Sequence, residues 1–317
     1  MSQYNFVIVR TGGGRAYANR IARSIHWINE NKRIGRGHNF NTSVISVNEL
    51  SRFFTSLESR YLYSNTTLVH SRAAYPDPDG WMRHLTNLEL AGFEVVNKPD
   101  VLMLTSNKLE CATRLQDHFP HPRTWEYSKS MTLSEIESLR DEIGISLREP
   151  DELIAKPLTS MEQGANVKSI TNHFWTDLIR EDLADVPGNK VIIQEKIPYT
   201  AIYRVIVIGG RAMPYSFVDR PTPERWKVSV CLNRTSMEFV PNPSPELLRL
   251  GERVQEFIGG EINFIDFFEI EPGNFVISEI NTACNLRIHE LLARDAGHPR
   301  WNIHYNIAKY LVERTVR

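Results

Sequence analysis

The sequence predicts an α/β protein of two or three compact units, and three observations carry that expectation. Up to about residue 104, short β-rich runs alternate with stretches of helical period. The C-terminal half holds two hairpin signals, Gly209-Gly210 and Glu271-Pro272-Gly273-Asn274, each set between apolar runs. At 317 residues the chain is also long enough for more than one core.

Taken in order, Phe6 to Val9 reads as a buried strand, followed by Thr11-Gly12-Gly13-Gly14 and a helix with Ile21, Ile25 and Ile28 on one face. The glycines fit a tight turn. They would also let a phosphate approach a helix N-terminus, although they lack the spacing of the dinucleotide or P-loop motifs. The basic loop Lys32-Arg33-Ile34-Gly35-Arg36 reads as a solvated connection. Ser43 to Val47 and Thr67 to His70 are further strands, the second running into Ser71-Arg72. A helix from Trp81 to Ala91 stops at Gly92, and Phe93 to Asn97 resumes a strand. A first α/β domain is therefore expected over residues 1–104.

Asn107 caps a helix that includes Leu109, Ala112, Leu115 and Phe119, with Lys108 in its first turn. The helix dipole opposes a cation there, so Lys108 either splays into water or reaches for an anion. Thr132 and Glu135 form a capping box that opens a helix from Leu133 to Ile143, with Gly144 as its expected stop. Leu153 to Pro157 is a buried-type strand ending in Lys156, which needs an anion or must snorkel. The small and polar residues 158–167 beyond it are suited to folding over bound phosphates. Val191 to Ile197 is a strand containing Gln194 and Glu195, and Tyr203 to Ile208 pairs with Arg211 to Val218, carrying Arg204. Ser244, Pro245 and Glu246 open a helix striped by Leu247, Leu250, Val254, Phe257 and Ile258 and ended by Gly259-Gly260. Trp301 to Arg314 reads as a closing amphipathic helix.

Ile262 to Ile270 and Phe275 to Asn281 form the second hairpin. If Ile270 faces Phe275, then Asp266 lies across from Glu279, with Asn281 on the same face. Facing carboxylates weaken a hairpin, so the pair asks for a counter-charge. An oxygen-liganded divalent cation such as Mg²⁺ answers that need. The alternative is that one carboxylate faces solvent or meets an arginine.

The formal net charge of -1 supplies no global pull toward nucleic acid or an anionic membrane. Cys111, Cys231 and Cys284 lack disulfide or metal-ligand spacing, as in a reducing compartment. No signal-type start and no run of ~18 apolar residues occurs, so a soluble cytoplasmic protein is expected.

Several segments in fixed order carry a resemblance: Arg72, LTNLELAGFEVVN running into SNKLECATRLQ, LIAKP, IIQEKI, YRVIVIGGR, and NFIDFF with ISEIN. Over about Val69 to Leu286 the chain resembles the ATP-grasp superfamily, and within it the RimK-type and glutathione synthetase-like carboxylate–amine ligases. The resemblance implies three domains, 1–104, 105–188 and 189–317, with ATP between the last two. It implies that Lys108 and Lys156 contact ATP phosphates, with Lys156 also approaching the purine side, and that Gln194, Glu195 and Ile197 hold adenine and its surroundings. Arg204 would serve the phosphate or acyl-phosphate end, while Asp266, Glu279 and Asn281 would bind Mg²⁺, with Mn²⁺ as an alternative. The implied reaction makes an acyl phosphate from a carboxylate and ATP, which an amine then attacks, releasing ADP and phosphate. Its partners are a carboxylate substrate and an amine acceptor (amino acid, peptide or protein), with a homo-oligomer compatible with this branch.

The chain departs from the family pattern at three places. Ile202 stands where relatives place an aspartate, and Thr282-Ala283-Cys284-Asn285 replaces a Ser-Ser-Pro-Gly-like loop. Around Trp226-Lys227-Val228-Ser229 the usual arginine and asparagine are missing, so Lys227 and Ser229, or Asn233, stand in. Arg220 and Arg225 are candidate anion contacts, with surface solvation the alternative for Arg225. The competing functions are a carboxylate–thiol ligase and a non-catalytic ATP-binding regulatory module of the same fold.

Overall fold

The computed structural model describes all residues except 1, 11–14, 32–33, 35–36, 56–63, 73–79, 148–151, 159–166, 172–182, 185, 223–235, 285, 299–301 and 317. The first unit contains β1 (Ser2–Arg10), α1 (Arg15–Asn31), β2 (His38–Ser46), α2 (Leu50–Thr55), β3 (Thr67–Arg72), α3 (Trp81–Leu90), β4 (Glu94–Val96) and α4 (Pro99–Ser106). Its four strands form a parallel sheet in the order β2-β1-β3-β4. Alternate residues of β1 feed opposite faces: Phe6 and Ile8 pack on the buried stripe Ala18, Ile21, Ile25 and Ile28 of α1, while Val7 and Val9 join Trp81, Leu85 and Leu102.

A second sheet follows α5 (Lys108–Leu115) and comprises β5 (Thr124–Ser128), β6 (Glu152–Pro157), β7 (Lys168–Thr171) and β8 (Lys190–Glu195), with α6 (Leu133–Leu147) between β5 and β6. It is antiparallel, in the order β5-β8-β6-β7, and has a core of its own built from residues such as Tyr127, Ile136, Ile143, Leu153 and Ile193. A boundary at 188/189 cuts β8 from this sheet; its hydrogen bonds to β5 and β6 place it with the central strands. The capping box forms as expected, with Thr132 N donating to Glu135 Oε2 at 2.7 Å and Glu135 N to Thr132 Oγ1 at 3.3 Å. Gly144 does not stop α6, which runs on to Leu147: an interior glycine costs only about 1 kcal/mol, and Ile136, Leu139 and Ile143 anchor the helix. Phe119 lies past the end of α5, packed against Leu115 in the same cluster.

The third sheet is antiparallel, in the order β11-β10-β9-β12-β13, from β9 (Ala201–Ile208), β10 (Arg211–Asp219), β11 (Glu238–Pro241), β12 (Ile262–Glu271) and β13 (Asn274–Asn281). Gly209 and Gly210 adopt φ of 59° and 79°, which suits the two-residue turn joining β9 to β10. One face of this sheet packs on α7 (Pro245–Ile258) and α5 through Val205, Val207, Ile265 and Phe267. On the other face Ile206, Phe217 and Phe264 share a core with β1, α1, α8 (Leu286–Asp295) and α9 (Ile303–Thr315).

Asn97, just after β4, pins the entry to β12. Its Oδ1 accepts from Glu261 N (2.7 Å) and Ile262 N (2.8 Å), and its Nδ2 donates to Ile262 O (2.7 Å). Among the described residues no helix is long and apolar enough to cross a membrane.

Candidate active site

Strands β9, β12 and β13 lie side by side, and their register sets three charged residues in one row. Arg204 pairs with Asp266, and Asp266 with Glu279. The expected pairing of Ile270 with Phe275 is displaced by one, because Ile270 bulges and Glu269 takes its place. A second bulge, at Ser278 on the opposite strand, restores the register before the carboxylates are reached. The loop is correspondingly tighter than four residues, since Glu271 and Asn274 pair across Pro272-Gly273.

Arg204 grips Asp266 with both arms of its fork, Nε to Oδ1 and Nη2 to Oδ2, each 2.7 Å. Both side chains are buried, 3% and 5% exposed, so water screens this pair little. Burial pushes up the Asp266 carboxyl; Arg204 pulls against that without cancelling it, and Glu279 adds to the rise. Asp266 therefore meets an arginine.

Two lysines converge on Glu279 from the other side. Asn107 caps α5, its side chain accepting from Glu110 N at 3.3 Å, and Lys108 N donates to Leu158 O at 3.1 Å, which docks the helix start beside the end of β6. From there Lys108 Nζ reaches Glu279 Oε1 at 3.3 Å. The anion this lysine seeks is a carboxylate of the hairpin itself. Burial alone would raise Glu279, but Lys108, then Lys156 and Arg204, outweigh it and hold the carboxyl below its ordinary value.

Lys156 stands at the end of β6, and its Nζ donates to Gln194 Oε1 at 2.8 Å. Burial, then Lys108, lowers its ammonium to about 7, with Glu279 opposing. Cys111, one turn into α5, is pushed up to about 12 by burial and by Glu279, which keeps it a thiol. Lys108, Lys156 and Arg204 thus face Asp266 and Glu279, one positive charge in excess when all five are ionised. Such a cluster attracts anions.

No protein-family model matches the sequence, and a search of curated proteins returns no relative. Solved structures do match over nearly the whole chain. The ATP-grasp ligase PsnB complexed with minimal precursor aligns with 98% of this chain and 99% of its own at 16% identity and a TM-score of 0.64. The D-cycloserine synthetase DcsG covers 98% and 99% at 10% identity with a TM-score of 0.67, and D-alanine–D-alanine ligase from Bacillus anthracis 100% and 97% at 14% with a TM-score of 0.63. The chain has the ATP-grasp fold.

Within that fold the remaining expected residues lie as follows. Glu195, the last residue of β8, accepts from Arg123 N at Oε2 (3.1 Å), while its own N donates to Arg123 O (2.9 Å). Ile197 follows the strand end and is half-buried. Asn281 pairs with Phe264, two residues from Glu279 on the same side, and is half-buried. Arg220 sits beyond the end of β10 and forms an exposed ion pair with Glu238 at 2.9 Å. Asn233, Arg225, Lys227, Ser229, the glycine turn 12–14, most of the 158–167 loop and Asn285 lie outside the described residues, as does the side chain of Arg72.

Sequence reasoning missed the segment Pro120 to Thr124. Pro120 O accepts from Ile277 N (2.9 Å), and Thr124 Oγ1 accepts from Gln194 Nε2 (2.7 Å). The neighbouring alternation of Trp125 and Tyr127, both buried, is the signal that would have found β5.

Among the described residues no group of three His, Cys, Asp or Glu side chains is placed to hold a metal. Asp266, Glu279 and Asn281 offer oxygen only, and Glu279 keeps 32% of its side chain exposed. This donor set fits a hard cation that takes its other ligands from phosphate and water, with Asp266 shared with Arg204.

Proposed function

We propose that the protein is an ATP-dependent carboxylate–amine ligase of the RimK type that works through an acyl phosphate and releases ADP and phosphate. The observation that carries this reading is the convergence of Lys108, Lys156 and Arg204 on the Asp266–Glu279 row. Phosphoryl transfer to a carboxylate crowds anions together, and fixed cations offset that repulsion. Lys108 and Lys156 contact the phosphates of ATP, and the segment of Gln194, Glu195 and Ile197 receives adenine and its surroundings between the central and C-terminal units. Arg204 orients Asp266 and lends positive charge where the acyl phosphate forms. Asp266, Glu279 and Asn281 would hold Mg²⁺, or Mn²⁺, which supplies further positive charge to the phosphates when bound. Arg220 and Asn233 are assigned to the substrate side and the nucleotide side respectively on resemblance alone.

The structurally similar proteins are described with a precursor peptide and as a D-alanine–D-alanine ligase. By extension, the acceptor here is an amine of an amino acid, peptide or protein, met in the cytoplasm. With ATP, Mg²⁺ and pooled amino acids or peptides, the protein is expected to release ADP and phosphate; AMP and pyrophosphate would exclude the mechanism.

One observation favours a second reading, an ATP-binding module without turnover. Both oxygens of Asp266 already meet Arg204, and Glu279 meets Lys108, so the carboxylates are neutralised without a metal. In that case ATP raises the melting temperature and is never consumed.

A further inference from the structure

Lys156 is a long, flexible donor, and its usefulness to an anion depends on where its ammonium is held. A chain of three hydrogen bonds leads from it to a segment that no nucleotide-site motif includes. As an ammonium Lys156 Nζ can only donate, so Gln194 presents Oε1 to it, at 2.8 Å. The amide's Nε2 then points the other way and donates to Thr124 Oγ1 at 2.7 Å. Thr124 sends its own hydrogen to the carbonyl of Pro122 at 2.9 Å, an atom that can only accept. Both ends therefore impose the same polarity, and the Gln194 amide has one orientation. Gln194 is 3% exposed and Thr124 9%, which leaves water little room to replace a missing partner. The same segment is tied to the carboxylate hairpin, because Pro120 O accepts from Ile277 N at 2.9 Å, two residues before Glu279.

We propose that Thr124 is a positioning residue: acting through Gln194, it fixes where the Lys156 ammonium stands relative to the Asp266–Glu279 row and so to the phosphates of ATP. The inference rests on the nucleotide-site reading above. Thr124→Val keeps the shape of the side chain but leaves Gln194 Nε2 buried without its acceptor, so the amide shifts to regain a partner and draws Oε1, and with it the Lys156 ammonium, from its place. The low position of the Lys156 ammonium agrees with a group held away from water.

The test is calorimetric binding of ATP and of adenosine to the full chain. Thr124→Val is expected to weaken ATP by about tenfold, the loss of roughly one charge-assisted hydrogen bond, and adenosine by clearly less, with Thr124→Ser close to the native protein. In a Lys156→Met background Thr124→Val should add nothing further, since its effect travels through the lysine. Native protein that ignores ATP would overturn the site reading and the inference together. Native protein that binds ATP while Thr124→Val binds it equally well, or loses affinity as fully in the Lys156→Met background, would overturn the inference and leave the site reading standing. Should the melting curve show Thr124→Val unfolded, Thr124→Ala removes the same hydroxyl and carries the same expectations.

Discussion

Arg204→Met tests the centre of the charged row most severely. Methionine fills much of a slot in which the arginine is 3% exposed, yet it leaves Asp266 without either of its 2.7 Å donors. Removing one partner of a buried ion pair costs about 3–5 kcal/mol, because the remaining charge is stranded. At about 2 °C per kcal/mol for a chain of this size, the melting temperature should fall by about 6–10 °C at pH 8. Asp266 can escape part of this cost by taking up a proton. Burial already holds its carboxyl above the ordinary value, and loss of Arg204 raises it further. A carboxyl raised in the folded state binds more protons folded than unfolded, so its contribution is fullest below the ordinary value and is lost as pH rises through the folded one. In the variant that window extends toward neutrality, and the deficit against the native protein should be smaller at pH 5 than at pH 8. Circular dichroism melts of both proteins at the two pH values decide the matter. A fall of less than about 2 °C at pH 8, or a larger deficit at pH 5, would refute the reasoning.

Three further outcomes follow from the same geometry. Phosphate beside Lys156 should raise an ammonium that now stands at about 7, so ATP binding at pH 8 takes up part of a proton; the heat of binding should then differ between buffers of unequal ionisation enthalpy, and Lys156→Met should abolish the difference. Glu279→Ala removes a proposed metal oxygen and the partner of Lys108, and should raise the Mg²⁺ needed for half-maximal ADP release by more than about 100-fold; full activity at ordinary Mg²⁺ would show the assignment to be wrong. Gly209→Ala places a Cβ 2.3 Å from the Tyr310 ring at φ 59°, and should destabilise by about 2 kcal/mol or more. Gly210→Ala, at φ 79° with open space around it, should cost only about 1 kcal/mol, so equal losses in denaturant titrations would contradict the packing argument.

Local signals made much of this fold legible. The isoleucine stripe of α1, the Thr132–Glu135 box, the Asn107 and Ser244 caps and the Gly209-Gly210 turn all act within a few residues, where sequence spacing and contact coincide. The Asp266–Glu279 pairing was also legible, although by a route with two compensating errors: bulges at Ile270 and Ser278 shift the register and then return it. That Asp266 meets an arginine was not legible, because Arg204 lies 62 residues away and becomes its neighbour only when β9 pairs with β12. The partner of Gln194 was hidden for the same reason, with Thr124 70 residues distant. Gly144 misled because the penalty of a glycine inside a helix is smaller than the hold of the apolar residues around it.

The central claim, that the Asp266–Glu279 row receives a metal-bound nucleotide triphosphate between Lys108 and Lys156, meets its most direct test in a crystal grown with a non-hydrolysable ATP analogue and Mn²⁺. Anomalous scattering should place the manganese within bonding distance of Glu279 and Asp266, with phosphate oxygens against both lysine ammoniums. A nucleotide bound elsewhere, or no anomalous peak beside Glu279, would contradict it.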